Sequence, residues 1–217
     1  MKVEIWSDFV CPFCYIGKRN FESALQQFSG KDKVEVTWHS FQLNPDLKTD
    51  TSKSVTEYLS ETKGWTIEEA EKINEFVTEM AAKAGLEYHL DALKVSDSFN
   101  AHRLLQLSKR YGQERAIMEI IFKAYFTDCI NIDDPEWLFK IGIDLGIPSN
   151  ELVDLFNTEN YREEVNNDRI AAKLLGINAV PCFVFDKKYG ISGAQEISVF
   201  LDSLENIQRE LDNPIIK

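Results

Sequence analysis

At 217 residues the chain is long enough for one large domain, or for a domain carrying a sizeable insertion. Its 44% hydrophobic and 12% aromatic residues can bury a proper core, which excludes a disordered chain. The 36 acidic against 24 basic residues give a net charge of −12, and the one basic pair, Lys187-Lys188, makes no patch, so neither nucleic acid nor an anionic membrane is expected as a partner.

Residues 2–6 alternate loosely, with Lys2 and Glu4 breaking any apolar run, and are expected to form a strand rather than a leader peptide. A helix is expected from Pro12 to about Phe28, with Phe13, Ile16, Ala24, Leu25 and Phe28 on one face and Gly30 ending it. Val34, Val36 and Trp38 then alternate as a second strand, and the helix between is long enough for a crossover that sets the two strands parallel. Residues 46–54 read as polar loop, and beyond them the pattern is helical. Thr66-Ile67-Glu68-Glu69 is a capping box for a helix with Ile67, Ala70, Ile73, Val77 and Ala81 inward and Gly85 as its stop. Further helical stripes begin at Ser98 (as a cap), near Ile117, at Asp134-Pro135, at Ser149 and near Tyr161, the last stopping at Gly176. Phe183-Val184-Phe185 is a buried strand, residues 186–188 a turn, and 189–192 a returning strand. A final helix carries Ile197, Phe200, Leu204, Ile207 and Leu211 before Asn213-Pro214. The order βαβ, helical block, ββα describes an α/β fold with one sheet interrupted by a large all-helical insertion. The expected division is 1–46 with 176–217 as one domain, and 47–175 as the inserted one. No run of about 18 apolar residues is present, so no membrane span is expected, and a cytoplasmic setting is the expectation.

Chemistry concentrates at Cys11-Pro12-Phe13-Cys14, where the first strand feeds the first helix. Two thiols at this spacing on a helix start can close on each other, with the first sulfur exposed and the second behind it. Pro12 suits the first helical position, because its φ is preset and its missing N–H is not needed there. The helix end favours negative charge, so Cys11 is expected to attack as the thiolate, helped by Lys18 and Arg19 if their side chains fold back. Phe13 brings no charge of its own. A zinc site needs a second ligand pair, and Cys129, Cys182, His39, His89 and His102 are scattered; no metal is expected. A structural disulfide would close too small a loop to stabilise much. Redox use in a reducing compartment is the better reading.

Val180-Pro181 stands directly before the buried strand, where a proline marks a strand start or edge. A strand, C-P-x-C on a helix start, and a late V-P before a hairpin and terminal helix together resemble the thioredoxin fold, and the helical block resembles the DsbA-like oxidoreductases. The stretches S-D-F-V-C-P-F-C-Y-I-G-K-R, N-A-H-R-L-L and F-V-F-D-K-K-Y-G-I-S-G-A-Q are similar to the cytosolic FrnE-like branch of that family. The resemblance implies a thiol–disulfide oxidoreductase with Cys11 and Cys14 catalytic, and with Pro12, Phe13, Val180 and Pro181 shaping the site. It implies that Pro181 is cis against the two sulfurs, and that Val180 offers its backbone to an extended substrate. Protein or small-molecule disulfides and thiols are the expected partners of a monomer or homodimer, with no resident cofactor.

Glutathione stands as a candidate co-substrate whose carboxylate Gln195 would help bind. Two rival readings are a kappa-type glutathione-dependent isomerase or transferase, which the second thiol at Cys14 argues against, and a redox-independent holdase or binding module. His39, ending the second strand, is a candidate proton acceptor for Cys14, and His102 a helix-interface histidine near the cleft. Cys182 reads as a small core residue and Cys129 as an idle thiol.

Overall fold

The structure, a computed structural model, describes residues 1–212. In chain order come β1 (Lys2–Ser7), α1 (Pro12–Gln27), β2 (Glu35–Ser40), β3 (Asp50–Ser54), α2 (Val55–Lys63), α3 (Ile67–Lys83) and β4 (Lys94–Val95). Then follow α4 (Phe99–Lys109), α5 (Glu114–Phe126), α6 (Pro135–Asp144), α7 (Ser149–Asn157), α8 (Arg162–Leu174), β5 (Cys182–Phe185), β6 (Tyr189–Ser192) and α9 (Ile197–Asp212). The Asn213-Pro214 break lies outside the described residues.

The expected βαβ and ββα halves meet in one sheet of order β2-β1-β5-β6. β1 runs parallel to β2, with Ile5 opposite Trp38, and antiparallel to β5, with Ile5 opposite Phe183. The β5–β6 hairpin turns through Asp186 and Lys187, both at positive φ (46° and 57°). Asp186 holds the turn by accepting from the Lys2 N–H at 2.7 Å. Because successive strand residues face opposite sides, Phe183 and Phe185 point together to the face covered by α1 and α9. There they pack around Phe21 and Phe200, with ring centroids 4.6 Å apart for Phe183–Phe200 and 5.4 Å for Phe21–Phe183.

α1 is sandwiched. One side meets the sheet, and the other meets the insertion, where Tyr15 stacks on Phe122 at 5.0 Å and Lys18 is drawn down to Glu119. Covered on two sides, the helix does not keep the single apolar face expected of it: Phe21 turns inward, while Phe13, expected inside, is 36% exposed beside the redox motif. Nor does a left-handed Gly30 end it. The chain leaves the helix at Phe28, which is extended, and Gly30 has φ −91°; its missing side chain makes room for the Phe28 ring, which a Cβ would meet at 2.8 Å.

The insertion is helical but carries one short ladder, β3 against β4, in place of the expected polar loop. α2 is an added helix with its own capping box, Ser54 with Glu57. α3 opens on the expected box of Thr66 and Glu69 but buries only Ala70, Val77 and Ala81; Ile67 and Ile73 face out, because α3 lies on the outside of the molecule against α2 and α1. Ser98 has helical backbone and does not cap α4; the Asp97 carboxylate takes the Phe99 N–H instead, at 2.9 Å. Asp168 of α8 fastens the insertion to the sheet. Its carboxylate accepts from the Ser40 N–H (2.8 Å) and the Gln106 amide (2.6 Å) and meets His39 Nδ1 at 2.6 Å, while its carbonyl takes the Trp6 indole N–H at 3.0 Å. Among the described residues no helix is long and apolar enough to cross a membrane.

Candidate active site

Cys11 is the residue that caps α1, with extended backbone (φ −92°, ψ 111°), and Pro12 takes the first helical position. This is the local consequence of C-P-x-C after a strand: the proline starts the helix, and the first thiol stands at its positive end. One turn on, the Cys14 N–H bonds the Cys11 carbonyl at 3.0 Å, and Cys14 is fully buried. Both thiols are free.

The first sulfur is less open than the motif alone suggests. Cys11 is only 3% exposed, because the chain from far downstream lies over it: Cys11 Sγ–H points to the Val180 carbonyl at 3.5 Å. The Val180–Pro181 bond is cis, and the Pro181 carbonyl accepts from the Gly193 N–H at 2.8 Å. The Pro181 ring also presses on α1, since a Cβ on Gly17 would sit 2.9 Å from its Cγ. Thus Cys11, Cys14, Pro12, Val180 and Pro181 are brought together, with Phe13 at the open edge.

Burial pushes the Cys14 thiol up, and its hydrogen bond with Cys11 and the negative charge Cys11 would carry push it further. The Ser7 hydroxyl and the Asp8 N–H, 3.5 Å from Cys14 Sγ, pull the other way. Cys14 is accordingly held as the protonated thiol.

Neither Lys18 nor Arg19 folds back to the thiols. Lys18 reaches Glu22 (3.0 Å) and Glu119 (2.5 Å), and Arg19 reaches the other Glu119 oxygen (2.6 Å), because a lysine 1% exposed must keep its counter-charge beside it. Burial opposes ionisation of Glu119, but the hydrogen bonds from Lys18 and Tyr15 and the two cations win and hold its carboxyl below the usual range. His39 is committed elsewhere, stacked on Trp6 at 4.4 Å and bonded to Asp168. Gln195 donates its amide to the Ser192 carbonyl at 2.8 Å, satisfying its own loop.

His102 is at a helix interface as expected, and it pairs with Asp8, a residue of the motif stretch of which no separate role was expected. Its Nε2 lies 3.3 Å from Asp8 Oδ1, both residues being 1% exposed. Asp8 also takes the Leu43 N–H at 2.7 Å, so a charged residue three places before the first cysteine braces the loop. Tyr88 is unmarked in the sequence. Its hydroxyl donates to the Pro12 carbonyl at 2.8 Å, a partner 76 residues away that leaves no local pattern. Cys182 is buried in β5, and Cys129, at positive φ, gives its Sγ–H to the His89 carbonyl at 3.5 Å; burial pushes both thiols up. Among the described residues no group of three or more His, Cys, Asp or Glu side chains is set to hold a metal.

A parallel-antiparallel sheet with a dithiol at the first helix start and a cis-proline loop beside it defines a thioredoxin-fold protein. Residues 2–205 match the DSBA-like thioredoxin domain family, and the chain belongs to it. A probable DsbA oxidoreductase of Streptomyces coelicolor is 35% identical in its crystal structure and superposes with a TM-score of 0.91, covering 97% of this chain and 91% of that one. The uncharacterized protein YwbO of Bacillus subtilis is 28% identical, over 96% of this chain and 98% of its own length. At 16% identity, the cytosolic disulfide reductase DsbM of Pseudomonas aeruginosa, solved with GSH, shares the fold with a TM-score of 0.66, over 96% of this chain and all of its own, 100%.

Proposed function

We propose that this protein is a thiol–disulfide oxidoreductase of the FrnE-like kind, working through Cys11 and Cys14 in the cytoplasm. The observation that carries the reading is the placement of Cys11: at the head of α1, against the Val180 carbonyl, with Cys14 buried one turn behind. In this mechanism the Cys11 thiolate attacks one sulfur of a substrate disulfide along the S–S axis. A Cys11–substrate disulfide forms and the other substrate sulfur leaves as a thiolate, which takes up a proton. Cys14 then loses its proton to solvent and attacks the Cys11 sulfur, releasing the second substrate thiolate. The substrate gains two electrons and the Cys11–Cys14 pair, now a disulfide, has lost them; an external thiol returns the pair to its starting state. Run backwards, the same steps oxidise a dithiol substrate, so direction follows the potential of the couple against its surroundings. Val180 holds the substrate chain by its backbone, and Pro12, Phe13 and Pro181 shape the opening. A cytoplasmic setting suits a pair kept reduced by surrounding thiols.

Cys14→Ser tests the order of events. With a disulfide substrate it is expected to stop at a stable adduct on Cys11, seen as a mass increase equal to one substrate half and removed by reductant. Cys11→Ser is expected to form none. An adduct on Cys14 in the Cys11→Ser protein, or turnover by Cys14→Ser at the parent rate, refutes the assignment.

A further inference from the structure

On the insertion side of the redox motif lies a cavity of about 290 Å³. Its near wall is Val10 and Pro12, the two residues flanking Cys11, and its far wall includes Leu47, Leu59, Leu93 and Phe126. It is mostly apolar, with Lys63 and Thr62 at the end of α2 on its rim, and of a size for one bulky side chain rather than for a whole cofactor. Asn74 and Leu90 line this cavity and also a second, wider cleft, so the two adjoin across those side chains. The cleft is lined by Glu57, Glu71, Glu75, Glu79 and Asp91, and by no lysine or arginine. Tyr88, on the same wall, bonds the Pro12 carbonyl, so the cleft adjoins the motif itself.

The acidic wall is an arrangement, not only a surplus of charge. Glu71, Glu75 and Glu79 follow one another at i, i+4 and i+8 along α3, a spacing at which like charges destabilise a helix. The neighbouring Glu68 has Lys72 at 2.7 Å, whereas among the described residues no cation pairs with these three. A mostly apolar pocket beside the reactive sulfur, adjoining a cleft whose charged lining is all acidic, selects for an amphipathic, cationic occupant.

We propose that cavity and cleft form the substrate-recognition site for a cysteine-bearing polypeptide segment that seats one bulky apolar side chain between Val10-Pro12 and the Leu59–Leu93 wall and lays lysine or arginine side chains along the α3 glutamates. The inference rests on the redox reading of Cys11 and Cys14, and it narrows the substrate class. A basic peptide is the preferred partner, and glutathione, whose two carboxylates outnumber its one amine, is disfavoured there.

The test uses the full reduced chain and two synthetic peptides, Cys-Gly-Leu-Gly-Lys-Lys-Lys and Cys-Gly-Leu-Gly-Glu-Glu-Glu, each carrying thionitrobenzoate on its cysteine. Release of thionitrobenzoate gives the second-order rate constant. At low ionic strength the lysine peptide is expected to react about tenfold faster than the glutamate peptide, with the ratio falling toward one at high salt. The ratio is expected to collapse in Glu71→Gln/Glu75→Gln/Glu79→Gln, whose three changes are on exposed side chains, and to persist in Glu163→Gln/Glu164→Gln/Glu205→Gln, three exposed acids outside the cleft. Replacing the peptide leucine by glycine is expected to slow the parent protein several-fold and to matter less in Leu47→Ser. Equal rates for the two peptides, or a ratio that survives the α3 triple change, overturns the proposal. Binding of the lysine peptide with its cysteine replaced by alanine, followed by fluorescence anisotropy, needs no redox step. Charge-selective binding without thionitrobenzoate release places the failure in the redox reading, and release without charge selection places it in the recognition site.

Discussion

Replacing Gly17 by alanine sets two physical effects against each other. Gly17 lies inside α1, where alanine is favoured over glycine by about 1 kcal/mol in an otherwise free helix. Here the added Cβ would meet the Pro181 ring at 2.9 Å, Phe183 Cζ at 3.4 Å and the Ala194 backbone at 3.5 Å. The proline atom is part of a closed ring on a loop held by the Gly193 N–H, so it cannot swing aside as a flexible side-chain tip would. Relief requires α1 and the 180–181 loop to part by about half an ångström, and such overpacking typically costs about 1–3 kcal/mol. The steric clash outweighs the gain in helix propensity, and Gly17→Ala is expected to lose about 1 kcal/mol net. The same displacement draws the Val180 carbonyl away from Cys11, so reaction of Cys11 with a model disulfide is expected to slow as well. Urea denaturation gives the first quantity and single-turnover kinetics the second. A variant about 1 kcal/mol more stable than the parent, with unchanged kinetics, would show that only helix propensity acts at this position.

Other expectations follow from buried charges. Glu119→Ala leaves Lys18, 1% exposed, with Glu22 alone, and is expected to cost about 2 kcal/mol in urea titration; the carboxylate's own partial exposure keeps the figure below that of a fully buried pair. Glu119 and Asp168 both have carboxyls held below their usual range. In each case burial opposes the shift, and Lys18 and Tyr15, or His39 and its charge, overcome it. Their contribution to stability is therefore fully present above about pH 4.5 and is lost as pH falls through their folded values. Tm is expected to drop as pH falls below about 4.5, and the gap between the parent protein and Asp168→Asn to narrow as it does; a gap independent of pH would contradict it. Arg103, 5% exposed, gathers the Asn160 carbonyl (2.8 Å), the Thr158 carbonyl (2.5 Å), the Leu155 carbonyl and the Asn100 side chain. A lysine cannot span that fork, so Arg103→Lys is expected to lose about 2–3 kcal/mol and to raise proteolysis of the α7–α8 loop; an unchanged denaturation midpoint would count against it.

Features with a local signature are readable from residues alone. The dithiol at a helix start, the proline before a buried strand, the hairpin at 186–188 and the capping box at Thr66 each announce themselves within a few positions. What escapes depends on partners distant in the chain. Lys18 looks like a free cation on an amphipathic helix until Glu119 closes on it from 101 residues away. His39 looks available to Cys14 until Asp168, 129 residues on, takes its ring nitrogen. An inward Phe13 presumes a helix with one covered face, and α1 has two. The β3–β4 ladder joins an all-polar strand to one of two residues, Lys94 and Val95, too short to show alternation. α2, by contrast, has a legible start in Ser54-Val55-Thr56-Glu57. The proposed recognition cavity has no sequence signature at all, since its walls come from the motif loop, the segment after β2, α2, α3, the residues around β4 and the end of α5.

The knot of bonds at Asp168 has a mechanical consequence. One carboxylate on α8 grips β2 and α4 together, and its own peptide carbonyl grips β1, so the inserted half is pinned to the sheet on that flank. The Glu119 carboxylate does the same on the α1 flank, taking Lys18 and Arg19, so the insertion is tied to the sheet layer on two sides. The space beside Cys11 is therefore framed by elements whose spacing two carboxylates hold in register, and loss of either would let that frame shift as a block.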